Sequence, residues 1–173
     1  MCIRDSMDAV PGEPESLVGT PGVLVLRSLT KTWSLPGIRA GYVVGDPAHL
    51  AELARQQPPW SVSTPAAAAM VACSTAEARA EADRRALAVA RWRAVLVDGL
   101  AARGLVVAGS PATPFVLVHG PAGLRERLRE HGFAVRRGDT VPGLGPDGVR
   151  IAVRDPATTD RLLGAVDRVS VGV

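Results

Sequence analysis

The chain has 173 residues, enough for one ordinary domain or two small ones with real cores. With 47% hydrophobic and 21% charged residues and a formal net charge of +3, it has a globular composition, and its cations are interleaved with Glu and Asp, which argues against a nucleic-acid-binding tract. No apolar run approaches the ~20 residues that span a membrane, residues 1–22 hold no apolar leader core, and Cys2 and Cys73 form no metal or disulfide pattern, so a cytoplasmic protein without metal or membrane is expected.

In chain order, Met1–Ser6 does not read like the start of a fold; with a second Met at position 7, it is expected to be foreign or a truncation scar. Residues 8–22 hold three Pro and three Gly and read as loop. Val23–Arg27 is the first predicted strand, a continuous apolar run suited to burial on both faces, and Arg39–Gly45 is the next. Asp46-Pro47 opens a helix whose apolar face is Leu50, Leu53 and Ala54. Thr64-Pro65 repeats the signal before a small-residue helix over 66–72. Thr75 caps a longer helix, Ala76 to about Arg103, with Leu87, Ala90, Ala94, Val97 and Ala101 as its apolar stripe and Gly104 as its stop. At ~1.5 Å per residue it is on the order of 40 Å long, which suits a bridge between two domains.

Beyond Gly104 the texture is short. Leu105–Ala108, Phe115–His119, Phe133–Arg136 and Val149–Val153 are predicted strands. Residues 121–130 and a helix from Asp155-Pro156 to about Val169 complete a small α/β domain over a mixed sheet. The expected division is 1–90 and 91–173.

Between the apolar runs Val23–Leu26 and Tyr42–Val44 lies a polar connection that holds Ser28, Lys31 and Arg39, at a sheet end where α/β proteins place their chemistry. Of 20 cationic Lys and Arg side chains, 19 are Arg and Lys31 is the single Lys. Arg does not lose its proton; Lys can, and so can serve as a nucleophilic amine. Ser28-x-x-Lys31 admits an acyl-enzyme hydrolase, but Lys31-Thr32 runs into Trp33 and no Ser-Asp-Asn element accompanies it. The other chemistry is that of pyridoxal phosphate, whose aldehyde needs a Lys amine and whose phosphate needs hydroxyl, backbone N–H and Arg donors. Ser28 and Arg39 supply those donor types on the same connection as Lys31.

The run S-L-T-K-T-W-S-L-P-G-I-R-A-G-Y resembles the lysine motif of class I/II (fold-type I) aminotransferases, most of all the branch of histidinol-phosphate aminotransferases and the threonine-phosphate decarboxylases of cobalamin biosynthesis. The likeness runs from about Met7 to Val169 and takes in P-P-W-S-V-S. It implies an α/β chain made of the end of the cofactor-binding large domain (a mixed sheet with helices), a long interdomain helix and a small C-terminal α/β domain. By resemblance, Lys31 is the catalytic Schiff-base lysine and proton carrier, and Ser28 and Arg39 are phosphate ligands. In V-R-I-A-V-R-D-P, Arg150 matches the arginine for the substrate carboxylate, and Arg136 matches another arginine of the branch. The implied cofactor is pyridoxal 5'-phosphate, the substrate an amino acid or phosphorylated amino acid, and the full-length assembly a homodimer.

The family's Asp-Glu-Ala-Phe element, whose Asp meets the pyridine nitrogen, is replaced by Ile3, Arg4, Asp5 and Ser6, and Pro114-Phe115 stands for its Asn-Phe. The family's upstream phosphate loop and ring-stacking aromatic fall before the first residue. The expectation is therefore a truncated, inactive C-terminal half of a transaminase or decarboxylase. The rival reading is a non-catalytic, aminotransferase-like effector domain of a transcription regulator.

Overall fold

The computed structural model describes the backbone of residues 2–4 and 7–170 and the side chains of 7–169. The chain divides into two compact units, Met1–Leu87 and Ala88–Val173.

The first unit is built on a three-stranded sheet of β1 (Cys2–Arg4), β2 (Leu24–Ser28) and β3 (Gly41–Val44), in the order β1-β2-β3. β1 runs parallel to β2, with Ile3 opposite Val25; β3 is antiparallel, with Ser28 opposite Gly41. Residues 2–4, which do not read like the start of a fold, pair with β2: it offers an edge of backbone donors and acceptors, and pairing with it requires nothing of the side chains. Residues 1, 5 and 6, and with them Asp5 and Ser6, lie outside the described residues.

β2 alternates rather than being buried on both faces: Val25 and Arg27 are buried, while Leu24, Leu26 and Ser28 are half-buried. Arg27 takes an inward position because Glu13 and Ser16 meet its guanidinium at 2.6 and 2.9 Å. After β2 the chain makes one turn of helix, α1 (Leu29–Thr32), capped by Ser28. Then α2 (Pro47–Gln56) is capped by Asp46, and α3 (Thr64–Cys73) by Ser63. Leu29, Ala40 and Ala66 are buried together, with Trp33, Ile38, Met70 and Cys73 against them, so α1 rests on the small-residue face of α3.

The boundary between the units falls inside α4 (Ala76–Ala101), which Thr75 caps through the Ala78 N–H at 3.1 Å. Its buried stripe is Ala86, Leu96 and Leu100, with Val89, Trp92 and Val97 half-buried; Leu87, Ala94 and Ala101 are exposed. The predicted stripe is thus about one residue out of phase. In so alanine-rich a helix several stripes look apolar, and the large side chains choose among them.

The second unit holds a four-stranded sheet of β4 (Val106–Val107), β5 (Phe115–His119), β6 (Arg136–Arg137) and β7 (Gly148–Ala152), in the order β4-β5-β7-β6. Every pairing is antiparallel, which corrects the expected mixed sheet. α5 (Leu124–Glu130) starts after Gly123, whose left-handed φ of 74° makes the turn, rather than at Pro121. β6 is only two residues long and Phe133–Val135 is not strand; Phe133 and Val135 pack on the core instead. α6 (Pro156–Ser170) follows an Asp155 cap, its Oδ1 accepting the Thr158 N–H at 3.0 Å. Among the described residues fifteen buried ones form one core, including Leu96, Leu100, Val116, Val118, Leu128, Ile151 and Val166.

Candidate active site

β2 and β3 end together at the pair Ser28–Gly41, and the Leu29 N–H donates to the Ala40 carbonyl at 3.2 Å, so the twelve residues between return to their starting point. Gly41 permits this closure: a Cβ there would lie 2.8 Å from the Arg27 carbonyl oxygen. Lys31 sits on α1 with its side chain exposed. Ser28 Oγ accepts the Thr30 N–H at 3.3 Å and shares a 2.8 Å hydrogen bond with Thr30 Oγ1. With Thr30 as that donor, the Ser28 hydroxyl proton remains available to a ligand. Arg39 holds a left-handed φ of 59° and donates from Nη1 to the Pro36 carbonyl at 2.9 Å. A non-glycine residue in that conformation stores on the order of 1 kcal/mol and is found where the surroundings hold it.

These three residues line one open cleft of about 470 Å³, with Thr30, Gly41 and Tyr42 around them and Leu50, Leu53 and Ala54 of α2 as its apolar wall. That wall is the predicted apolar face of α2, but none of its residues is buried and Leu53 is 45% exposed. Lys31 and Arg39 bring positive charge to the cleft, the Arg27 guanidinium being buried against Glu13 and Ser16, and no described lining residue carries a carboxylate. The cleft is therefore cationic and suits an anionic ligand. Arg39 also borders a second hollow of about 310 Å³ with Ser61, Ser63 and Ala66.

In the second unit, Arg136 and Arg150 face each other across β6 and β7. The Arg150 guanidinium lies 4.9 Å from the Phe115 ring centroid. Partial burial pulls the Arg150 pKa below the usual arginine value, and the neighbouring Arg136 cation adds to this. Two arginines in cross-strand register repel one another unless an anion lies between them. Arg137, next in line, is instead satisfied by Asp139 through two bonds of 2.5 and 2.6 Å.

Sequence reasoning did not find Arg27 or Thr30. The serine–x–threonine cap pattern is visible at Ser28, whereas the Glu13–Arg27 pair joins residues too far apart in the chain to be read from it. It also missed the contacts that surround α1. Thr32 Oγ1 donates to Asp8 Oδ2 at 2.5 Å, Arg85 Nη1 donates to the Thr32 carbonyl at 3.1 Å, and the Arg85 guanidinium stacks 4.8 Å from the Trp33 ring centroid. Among the described residues, no His, Cys, Asp and Glu group could hold a metal ion, and no helix is long and apolar enough to cross a membrane.

Residues 3–166 match the family described as aminotransferase class I and II. A histidinol-phosphate aminotransferase of Mycobacterium tuberculosis is 47% identical over 151 residues, which cover 85% of this chain and 41% of that protein. A threonine-phosphate decarboxylase of Salmonella typhimurium is 32% identical over 180 residues, covering 96% of this chain and 47% of that protein. The chain thus spans about half the length of the curated relatives it matches. Among solved structures, a histidinol-phosphate aminotransferase from Sinorhizobium meliloti in complex with pyridoxal-5'-phosphate superposes with a TM-score of 0.78 at 26% identity, over 99% of this chain and 48% of that one. One from Clostridium acetobutylicum reaches a TM-score of 0.86 at 24% identity, over 99% and 54%, and shares the fold.

Proposed function

The chain belongs to the aminotransferase class I and II family, and from that membership we propose that its Lys31 cleft holds pyridoxal 5'-phosphate in an enzyme that transforms an amino acid or a phosphorylated amino acid. The observation that carries this reading is the donor set. A hydroxyl, a guanidinium and the only lysine of the chain line one cleft on which no described residue sets a carboxylate. Pyridoxal phosphate, when bound, supplies an electron sink that stabilises negative charge at an amino acid's Cα.

Ser28 Oγ and the Arg39 guanidinium hold the phosphate, the second as a planar fork matched to phosphate oxygens. Lys31 Nζ would be the amine that holds the cofactor through its aldehyde carbon, and the group available to hold a proton beside the substrate's Cα. Arg150, with Arg136 beside it, binds the substrate's anionic groups, the α-carboxylate first. The first unit is read as the end of the large cofactor domain and the second as the small C-terminal domain. Turnover is assigned to a homodimeric protein of the relatives' length. The names of both curated relatives carry a phosphorylated substrate, which favours a substrate of that kind, and the likeness to the decarboxylase favours a place in cobalamin biosynthesis.

The test is direct because Lys31 is unique. With the N-terminal amine blocked, pyridoxal phosphate followed by borohydride is expected to leave reduced cofactor on the peptide containing Lys31. Lys31→Arg keeps the charge and is expected to lose it entirely. Label that does not exceed the level obtained with pyridoxal lacking its phosphate sinks the reading.

A further inference from the structure

We propose that Asp8 and Arg85 are positioning residues that set the direction of Lys31 by clamping the two residues after it, Thr32 and Trp33. This inference rests on the cofactor reading of Lys31 given above. α1 is a single turn of four residues, and its own backbone bonds are few: Trp33 N–H to the Leu29 carbonyl at 3.2 Å and Ser34 N–H to the Lys31 carbonyl at 3.4 Å. A turn of that length does not hold itself in water, because nucleating a helix costs more than one or two bonds return. What holds it must come from outside, and both ends are in fact held. Ser28 caps the start, and the Leu29 N–H bonds to Ala40.

At the other end three contacts converge. The Asp8 carboxylate, on the 3₁₀ turn Met7–Ala9, accepts from the Thr32 hydroxyl at 2.5 Å in a half-buried, charge-assisted bond. Arg85 Nη1 donates to the Thr32 carbonyl at 3.1 Å, and its guanidinium covers the Trp33 ring. Glu81 accepts from Arg85 Nε at 2.7 Å, which fixes the guanidinium in the orientation the stacking needs. Lys31 itself makes none of these contacts. Its side chain is exposed, and four rotatable bonds separate the backbone from the amine, so the position of Nζ in the cleft depends on how firmly its backbone is fixed. Asp8 and Arg85 thus act on the reacting amine through Thr32 and Trp33.

The experiment compares the full chain with Thr32→Val, Asp8→Ala, Arg85→Leu and the double variant Asp8→Ala/Thr32→Val. The first readout is the rate at which pyridoxal phosphate becomes borohydride-fixed on Lys31. Each single variant is expected to slow it about tenfold, the order of a lost charge-assisted hydrogen bond. The double variant is expected to be no slower than Asp8→Ala alone, since the two residues share one bond. Asp8→Asn, which keeps an acceptor for the Thr32 hydroxyl, is expected to recover most of the rate; a residue that merely stabilised the fold would show no such coupling. Wild-type rates in the folded variants overturn the positioning role while leaving the cofactor reading intact. If instead the wild-type chain fixes no cofactor, the cofactor reading fails, and the clamp is read by amide hydrogen exchange. The Trp33 N–H is expected to exchange about tenfold faster in the variants, with exchange at Val116 and Ile151 unchanged. No change at Trp33 overturns the clamp. Thr32→Val, which exchanges one hydroxyl for a methyl, keeps the test open should Asp8→Ala fail to fold.

Discussion

Arg39 combines two properties that a single substitution can separate. Its guanidinium lines the cleft, and its backbone sits at φ 59°, where a side chain costs free energy and glycine does not. Arg39→Ala and Arg39→Gly should therefore weaken cofactor retention equally. The glycine variant should be the more stable of the two, by about 1 kcal/mol, in a thermal melt. Equal melting of the two would mean that the left-handed backbone relaxes once the guanidinium is gone. Ser28→Ala should also reduce retention, but in addition it removes the cap of α1 and should cost ~1 kcal/mol of stability. Lysine chemistry stays possible in all three, because Lys31 Nζ is untouched.

At the scale of elements, β6 exists because of one glycine. A Cβ on Gly138 would lie 2.2 Å from the Gly148 carbonyl oxygen, inside the strand that carries Arg150. Gly138→Ala should force β6 away from β7, separate Arg136 from Arg150 and cost ~1–3 kcal/mol in denaturant unfolding. An unchanged midpoint would show that the two strands do not need this approach. The cap of α6 has a pH signature. Hydrogen bonds to Asp155, first from the Thr158 hydroxyl and then from the Thr158 N–H, lower its pKa below the ordinary carboxylate value of 3.8. A depressed carboxyl contributes stability above its unfolded value and loses it as pH falls through the folded one, so α6 should loosen below about pH 4. Asp155→Ala should lower the melting midpoint by a few degrees at neutral pH and by less as the pH falls below the ordinary carboxylate range. The elements most legible in the chain were those with local signals. Asp46-Pro47 and Asp155-Pro156 start helices where the cap rule puts them, and Phe115–His119 is a strand to the residue. Ser28, Lys31 and Arg39 could be grouped because they share one connection. Out of reach were the phase of α4, where alanine blurs the stripe, the antiparallel sense of the second sheet, and the Asp8–Thr32 bond, which joins residues 24 apart.

At the scale of the molecule, the two units differ in what holds them. Among the described residues, the second has fifteen buried in one cluster, and the cluster under α1 has three, two of them alanines. Amide exchange should be slowest in β5, β7 and α6 and faster by orders of magnitude around β3, where Tyr42 and Val43 are exposed on an edge strand. Uniform protection across both units would contradict that ordering. The first unit also exposes Leu53, Trp60, Val62 and Val71, apolar surface of a kind that invites association. Size-exclusion chromatography at micromolar concentration should show oligomers, and a clean monomer would refute this. The three tryptophans let the two units be followed by fluorescence. Trp60 is 97% exposed, Trp33 lies under the Arg85 cation, and Trp92 packs against the second core. The protein thus carries three native optical reporters: one open to a quencher in solvent, one two residues from Lys31, and one that changes colour only when the second unit melts.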